Sequence, residues 1–234
     1  MKGRGHDTVR LMRHLKEAIK YAVYRTPVVD RLMAPSYPYG LNPGQLTAMV
    51  DLIESTRGSG AAVAEIGVAK GDTSLFLLEH LRTRDDDRTL LLFDTFSGFT
   101  PESIHHETAN RGKSSSSYDK FRYGDEARFQ RNLRNAGYDR FRTIRGDASK
   151  FDWSSIAPIG AVILDIDLYQ PTISVLNSIY PHLAPGGGVI VDDCLANTVW
   201  DGSLQAYEEF IAAHDLPFDR AGAKGGVVRK PNAG

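Results

Sequence analysis

Four short apolar runs divide the chain, and each leads directly into an acid. Ala61-Ala62-Val63-Ala64 meets Glu65, Leu90-Leu91-Leu92-Phe93 meets Asp94, Ala161-Val162-Ile163-Leu164 meets Asp165, and Gly188-Val189-Ile190-Val191 meets Asp192. Continuous apolar segments of this length, with many branched side chains, predict strands buried on both faces of a parallel sheet. A further strand is predicted at 141–144, closed by Gly146-Asp147-Ala148, and the segment 218–228 finishes the domain. Between the strands the apolar spacing changes to a helical period. Leu46, Met49, Val50 and Ile53 mark one face of 45–55, and similar spacing recurs at 75–81, 126–136, 172–182 and 204–214. The β-α-β-α-β order predicts an α/β fold, a mostly parallel sheet with helices on both faces.

Three stretches stand outside that alternation. Residues 7–24 put Leu11, Leu15, Ile19 and Ala22 on one helical face, ringed by Arg10, Arg13, Lys16 and Lys20. A stripe this narrow is expected to pack on its own protein or on a dimer mate rather than lie on a membrane. Residues 34–44 are rich in Pro, Gly and Tyr and predict irregular backbone. Residues 97–124 are long and polar, with Gly98, Pro101, His105, His106, Gly112 and serines at 114–117, and read as a lid or a loop. The expected plan is an N-terminal helical extension over 1–44 and one domain over 45–230, with 97–124 as a lid insertion.

Composition narrows the classes. The 234 residues suit a single α/β domain. With 28 basic and 29 acidic residues the net charge is −1, so no nucleic-acid partner is expected. The single cysteine, Cys194, excludes an internal disulfide and fits a reducing cytoplasm. No stretch approaches the roughly 20 apolar residues of a membrane span, nor does the N-terminus carry a signal core. A cytoplasmic protein without a membrane partner is the expectation.

The acids carry the candidate chemistry. Ligands of open α/β sheets collect outside the carboxyl ends of the strands. Asp165 and Asp167 follow one strand and Asp192 and Asp193 another, so about four carboxylates are expected at one mouth. Like charges that close require protons or a cation. An all-oxygen set without His or Cys ligands favours magnesium, with manganese as the alternative; solvated loop acids are the plain reading. Glu65-Ile-Gly67-Val-Ala-Lys-Gly71 lacks the G-x-G-x-x-G dinucleotide pattern, yet Asp94, 27 residues beyond Gly67, suits a ribose ligand. Acids ending the first three strands suit a nucleoside with amino and hydroxyl donors. His105 and His106 are either substrate contacts or solvated loop residues. Trp200 is either a pocket wall or the cap of the last helix. Cys194 reads as a small buried group, because neighbouring carboxylates raise a thiol pKa.

Taken together, Glu65-x-Gly67, Asp94-Thr-Phe-Ser-Gly98, Gly146-Asp147, Asp165-x-Asp167-x-Tyr169, Pro185-Gly-Gly-Gly188, Asp192-Asp193 and Trp200-x-Gly202 resemble the TylF family of macrocin-type O-methyltransferases, over roughly residues 60–212. The resemblance implies a Rossmann-like class I S-adenosylmethionine-dependent methyltransferase fold, with a seven-stranded sheet whose C-terminal strand is antiparallel. It implies Mg²⁺-dependent transfer of a methyl group from S-adenosylmethionine to a hydroxyl of a small molecule, such as a sugar in antibiotic biosynthesis. Glu65 and Gly67 would face the methionine part, Asp94 the ribose, and Asp147 with Ala148 the adenine. Gly71, Thr73, Ser97 and Asp165 complete the expected cofactor set. Asp165, Asp192 and Asp193 would hold the metal, and Asp167 would be the general base. Cys194 stands where the family usually has Tyr, and Ala69-Lys70 where it has an aromatic and a basic residue. A homodimer is expected. Two rival readings keep the fold: a metal enzyme like the cephalosporin hydroxylases, and a nucleoside-binding protein without turnover.

Overall fold

The computed structural model describes residues 4–24, 26, 34–121 and 124–231. The chain divides into two compact units, Met1–Pro38 and Tyr39–Gly234. The first contains helix α1, Arg4–Tyr24, three residues longer at its start than the apolar stripe suggested. Its residues 12–23 are exposed, Leu15 and Ile19 among them, and Lys20 pairs with Glu17 at 3.3 Å. The predicted face position Leu11 has no described side-chain environment.

The second unit is built on seven strands: β1 (Ala62–Ile66), β2 (Leu90–Asp94), β3 (Phe141–Arg145), β4 (Ile159–Leu164), β5 (Leu183–Val191), β6 (Arg220–Ala221) and β7 (Gly225–Arg229). Their order across the sheet is β3-β2-β1-β4-β5-β7-β6. The first five pair in parallel, and β7 and β6 run antiparallel. This is the mostly parallel sheet that the apolar pattern predicted, with the antiparallel C-terminal strand that the family resemblance implied. β5 is longer than expected: Pro185, Gly186 and Gly187 belong to the strand rather than to a turn before it. A Cβ on Gly187 would lie 2.6 Å from the Gly160 carbonyl oxygen, so glycine permits the local shift in pairing with β4.

Strand residues alternate between two cores because successive side chains point to opposite faces. Val162 and Leu164 enter a core with Trp153, Val175, Leu176, Tyr207 and Phe210. Ala161 and Ile163 enter another with Met49, Leu52, Leu77, Leu81 and Phe129. Helices α2 (Pro43–Ser55), α3 (Asp72–Thr83) and α5 (Glu126–Asn135) supply the second core. Helices α6 (Tyr169–Ile179) and α7 (Gly202–Ala213) supply the first. Each fully buried Leu or Phe stabilises the fold by roughly 1.5–3 kcal/mol.

Local chemistry sets where these helices begin. Asn42 and Gln45 form a reciprocal capping box on α2, with Pro43 in the first turn. Asp125 caps α5 by accepting from the Arg128 N–H at 2.8 Å. Residues 97–124, expected as a lid or loop, contain helix α4 (Pro101–Asn110) and a short 3₁₀ turn at Ser115–Tyr118. Thr100 caps α4, Pro101 opens it, and buried Glu107 accepts from the Tyr169 N–H at 2.8 Å. Those polar residues therefore serve as caps and anchors. Among the described residues no helix is long and apolar enough to cross a membrane.

Candidate active site

The strand order reverses between β1 and β4, whose carboxyl ends flank the point where open α/β sheets bind ligands. The chain packs tightly there. Gly67 follows β1 at φ +87°, and a Cβ on it would lie 1.8 Å from the Asp165 carbonyl oxygen. The Gly67 N–H donates to Phe93 O at 2.8 Å and the Asp165 N–H to Ile66 O at 2.8 Å, which joins the three strand ends. Above them opens a cavity of about 290 Å³, close to the lower bound of small-molecule sites.

One side of the cavity is made of glycines and positioned acids. Asp94 accepts from the Val68 N–H at 3.0 Å and the Phe96 N–H at 2.6 Å, so backbone fixes its carboxylate. Gly146 lies beside it at φ +147° with open space around its α-carbon. Asp147 caps the next turn through the Ser149 N–H and hydroxyl at 3.0 and 2.7 Å. Gly67, Asp94, Asp147, Ala148 and Asp165 all line the cavity.

The other predicted cofactor residues lie off its wall. Glu65 is 2% exposed and accepts from the Ser74 hydroxyl at 2.6 Å beneath the glycine loop. Burial first, then the charges of Asp94 and Asp72, push its carboxyl up to about 8 despite the Ser74 hydrogen bond. Gly71 is a packing glycine, since a Cβ there would meet the Phe129 ring at 2.9 Å. Thr73 sits in the first turn of α3, and Ser97 is exposed with its N–H on Thr95 Oγ1.

On the opposite side Asp165, Asp167, Asp192 and Asp193 meet. Asp167 and Asp193 have φ +61° and +53°, so sharp turns rather than extended backbone aim these carboxylates. Asp165 and Asp167 both lie beyond β4, which ends at Leu164, so strand alternation does not set the direction of either side chain. Burial, followed by mutual repulsion, holds Asp165 and Asp167 well above the ordinary aspartate range. Asp192, 3% exposed, is raised too, although Lys224 and Gln45 pull it back.

Lys224, which the sequence reading did not single out, reaches into this cluster. Its Nζ donates to Asp192 Oδ2 at 2.8 Å and to Asp193 Oδ1 at 2.7 Å. Gln45 Nε2 donates to the other oxygen of Asp192 at 2.6 Å. The β5–β7 pairing, with Val191 opposite Gly226, brings Lys224 beside the ends of the acid strand. Buried, hard oxygen donors in excess of one ammonium fit a divalent cation chemically. Among the described residues, however, no three acids or histidines stand ready as a ligand set.

An aromatic wall adjoins the acids. Phe99, Phe121 and Trp200 line the cavity. The Trp200 ring packs at 5.9 Å from Phe99, 5.8 Å from Tyr118 and 5.9 Å from Phe121. Trp200 thus belongs to the pocket side of the two readings. His105 is exposed, and His106 stacks on Tyr169 at 5.2 Å in a separate cavity with Arg111, Lys113 and Asp201. Buried Cys194 has its thiol pushed up to about 12, mainly by burial, as suits an inert core group.

The sheet order, the glycine turn after β1 and the acids at the switch point together define a class I methyltransferase-type domain. Residues 44–222 match the TylF family, described as macrocin-O-methyltransferase, and the chain belongs to that family. It is 31% identical over 160 residues to demethyldecarbamoylnovobiocin O-methyltransferase of Streptomyces niveus, covering 66% of this chain and 59% of that protein. It is also 31% identical over 137 residues to 8-demethyl-8-(2,3-dimethoxy-alpha-L-rhamnosyl)-tetracenomycin-C 4'-O-methyltransferase of Streptomyces olivaceus, covering 56% and 52%. The chain therefore spans a little over half the length of these relatives. Among solved structures, the O-methyltransferase NovP shares the fold with a TM-score of 0.64 at 23% identity, over 81% of this chain and 80% of that one. The calicheamicin methyltransferase CalS11 does so at 0.60 and 19%, over 91% and 90%.

Proposed function

We propose that this protein transfers a methyl group from S-adenosylmethionine to a hydroxyl of a sugar or a related natural-product intermediate, with Mg²⁺ assistance. The observation that carries the reading is one cavity whose two sides are the glycine–Asp94–Asp147 wall and the four-acid cluster. Family membership, and the sugar-bearing antibiotic named for the tetracenomycin relative, point the same way.

S-adenosylmethionine supplies a methyl group on a positively charged sulfur. Asp94, its carboxylate held by two backbone N–H groups, retains lone pairs for ribose hydroxyls. Gly146, with open space where a side chain would project, lets the backbone approach a ligand closely, while Gly67 lets the first strand end pack against Asp165. Asp165, Asp192 and Asp193 would hold Mg²⁺, whose chemistry is to acidify and orient an acceptor hydroxyl. Asp167 accepts the hydroxyl proton on its carboxylate. Burial and neighbouring acids raise its proton affinity, which suits a base. The aromatic wall excludes water from the acceptor side and gives a flat apolar surface for the acceptor.

Replacement of the base tests this. Asp167→Asn keeps size and removes the proton acceptor, so kcat for labelled methyl transfer should fall by roughly 10²–10⁴ while S-adenosylhomocysteine affinity is retained. Full turnover by that variant would remove Asp167 from the role of base.

A further inference from the structure

We propose that Lys224 is a built-in counter-ion that occupies the acid pair Asp192–Asp193 and must be displaced before a divalent cation can bind there. The inference rests on the metal-dependent reading above and concerns how this chain admits the ion.

The contacts leave the strand-end acids little free capacity. Asp192 presents one oxygen to Lys224 at 2.8 Å and the other to Gln45 at 2.6 Å. Asp193 gives Oδ1 to Lys224 at 2.7 Å. Two of the three expected ligands are thus bound by one ammonium, and Asp165 alone is free of it. An ammonium and a hard divalent ion need the same oxygens, and their charges repel at that distance.

Lys224 is held in place by its backbone. Cys194 N–H donates to Lys224 O at 2.7 Å. Behind it, a Cβ on Gly225 would meet Gln45 Cγ at 2.7 Å, and one on Gly226 the Tyr207 ring at 2.9 Å. Gly225 and Gly226 thus seat the start of β7 closely against Gln45 and Tyr207. The side chain is another matter: it is 22% exposed and lines the cavity, so its four-carbon stem can swing toward the acceptor space. When the ion enters, the amine is released into the cavity beside the aromatic wall.

The test measures binding rather than turnover. Calorimetric titration of Mg²⁺ into wild-type protein and Lys224→Gln, both saturated with S-adenosylhomocysteine, should show tighter binding by the variant, by roughly 10- to 100-fold. In wild-type protein, amine labelling read by mass spectrometry should show Lys224 becoming several-fold more reactive when Mg²⁺ saturates. That second measurement stands even if the variant folds poorly. Equal Mg²⁺ affinities, or Lys224 labelling indifferent to Mg²⁺, would overturn the proposal. Failure of both proteins to bind Mg²⁺ at millimolar concentration would also overturn it. Failure of the methyltransferase reading would show separately, as loss of S-adenosylhomocysteine binding in the wild type.

Discussion

At the amino-terminal edge of the sheet, Arg88 and Asp86 have side chains only 8% and 4% exposed. At the carboxyl edge, Asp192 and Asp167 are 3% and 8% exposed. The first pair is closed. Arg88 gives Nε and Nη2 to Asp86 at 2.9 and 2.5 Å, Nη1 to Thr56 Oγ1 at 3.1 Å, and Nη2 to Ile53 O at 2.8 Å. Burial alone would raise Asp86, but its hydrogen bonds and the Arg88 charge outweigh that and hold it below the usual range. The carboxyl edge is open: four acids meet there with one ammonium, on Asp192 and Asp193, and Asp165, Asp167 and Asp192 are held above their usual range. Burial is common to both ends, so the difference lies in the pairing. The fully paired edge stabilises the fold, whereas the edge with more acids than cations stores an affinity for protons and cations, as ligand sites do.

The strongest way to break this comparison is to open the closed end. Arg88→Met removes the cation and leaves the buried Asp86 carboxylate with only the backbone N–H of residue 88, which should cost about 3–5 kcal/mol. Denaturant unfolding measures it. Adding Asp86→Asn should restore a substantial part, since the loss is mainly an uncompensated charge. A drop below about 1 kcal/mol would show that water reaches Asp86 and that the edges do not differ as described.

Much of this contrast was legible in the sequence on one side only. Apolar runs that ended in Glu65, Asp94, Asp165 and Asp192 located the strands, and parallel order required all those ends to lie on one edge. Lys224 was not legible. It lies 31 residues beyond Asp193, and only the antiparallel register of β7 against β5 brings the two together. The aromatic wall was half legible: Trp200 was a candidate, whereas Phe99 and Phe121 lay within an expected lid. There, cap residues at 100–103 outweighed low apolar content and formed a helix. Turns at positive φ, as at Asp167 and Asp193, are set by tertiary packing, so alternation rules could not aim these side chains. Glu65 shows the same limit. Its place at a strand end was evident, but its burial beneath Ser74 was not.

Glu65 sharpens the comparison through pH. Its folded-state pKa is raised from 4.5 to about 8, so the folded protein holds a proton that the unfolded chain releases. Stability is therefore present at low pH and declines as pH rises through that window, by at most roughly 1.4 kcal/mol per pH unit for one proton. Asp86 has the opposite sign: its contribution is present at neutral pH and lost as pH falls through its lowered pKa. Glu65→Gln preserves the acceptor for Ser74 but cannot ionise. Ligand-free stability of this variant should decline less steeply than wild type between pH 4.5 and about 8, and it should be the more stable protein at pH 7. Parallel stability curves for the two proteins would show that Glu65 ionises freely in the fold.

Trp200 provides the smallest and most selective probe, because it belongs to the open edge without belonging to its charge. It is half-buried against Phe99, Tyr118 and Phe121, with Lys120 Nζ 5.5 Å from its ring centroid. Truncation to Ala removes apolar surface from the acceptor side, while Asp94 and Asp167 keep their places. A lost aromatic contact with a bound acceptor is worth about 0.5–1.5 kcal/mol beyond the area it covers, so KM for the acceptor should rise roughly tenfold. S-adenosylhomocysteine affinity should be unchanged and kcat should stay within about threefold, because no group that moves a proton has been altered. Steady-state kinetics with labelled methyl transfer, paired with calorimetry for the nucleoside, separates these quantities. If kcat fell instead and KM did not move, the ring would be aligning the reacting hydroxyl rather than walling the acceptor. The open edge would then use apolar side chains, as well as charge, to set the geometry of transfer.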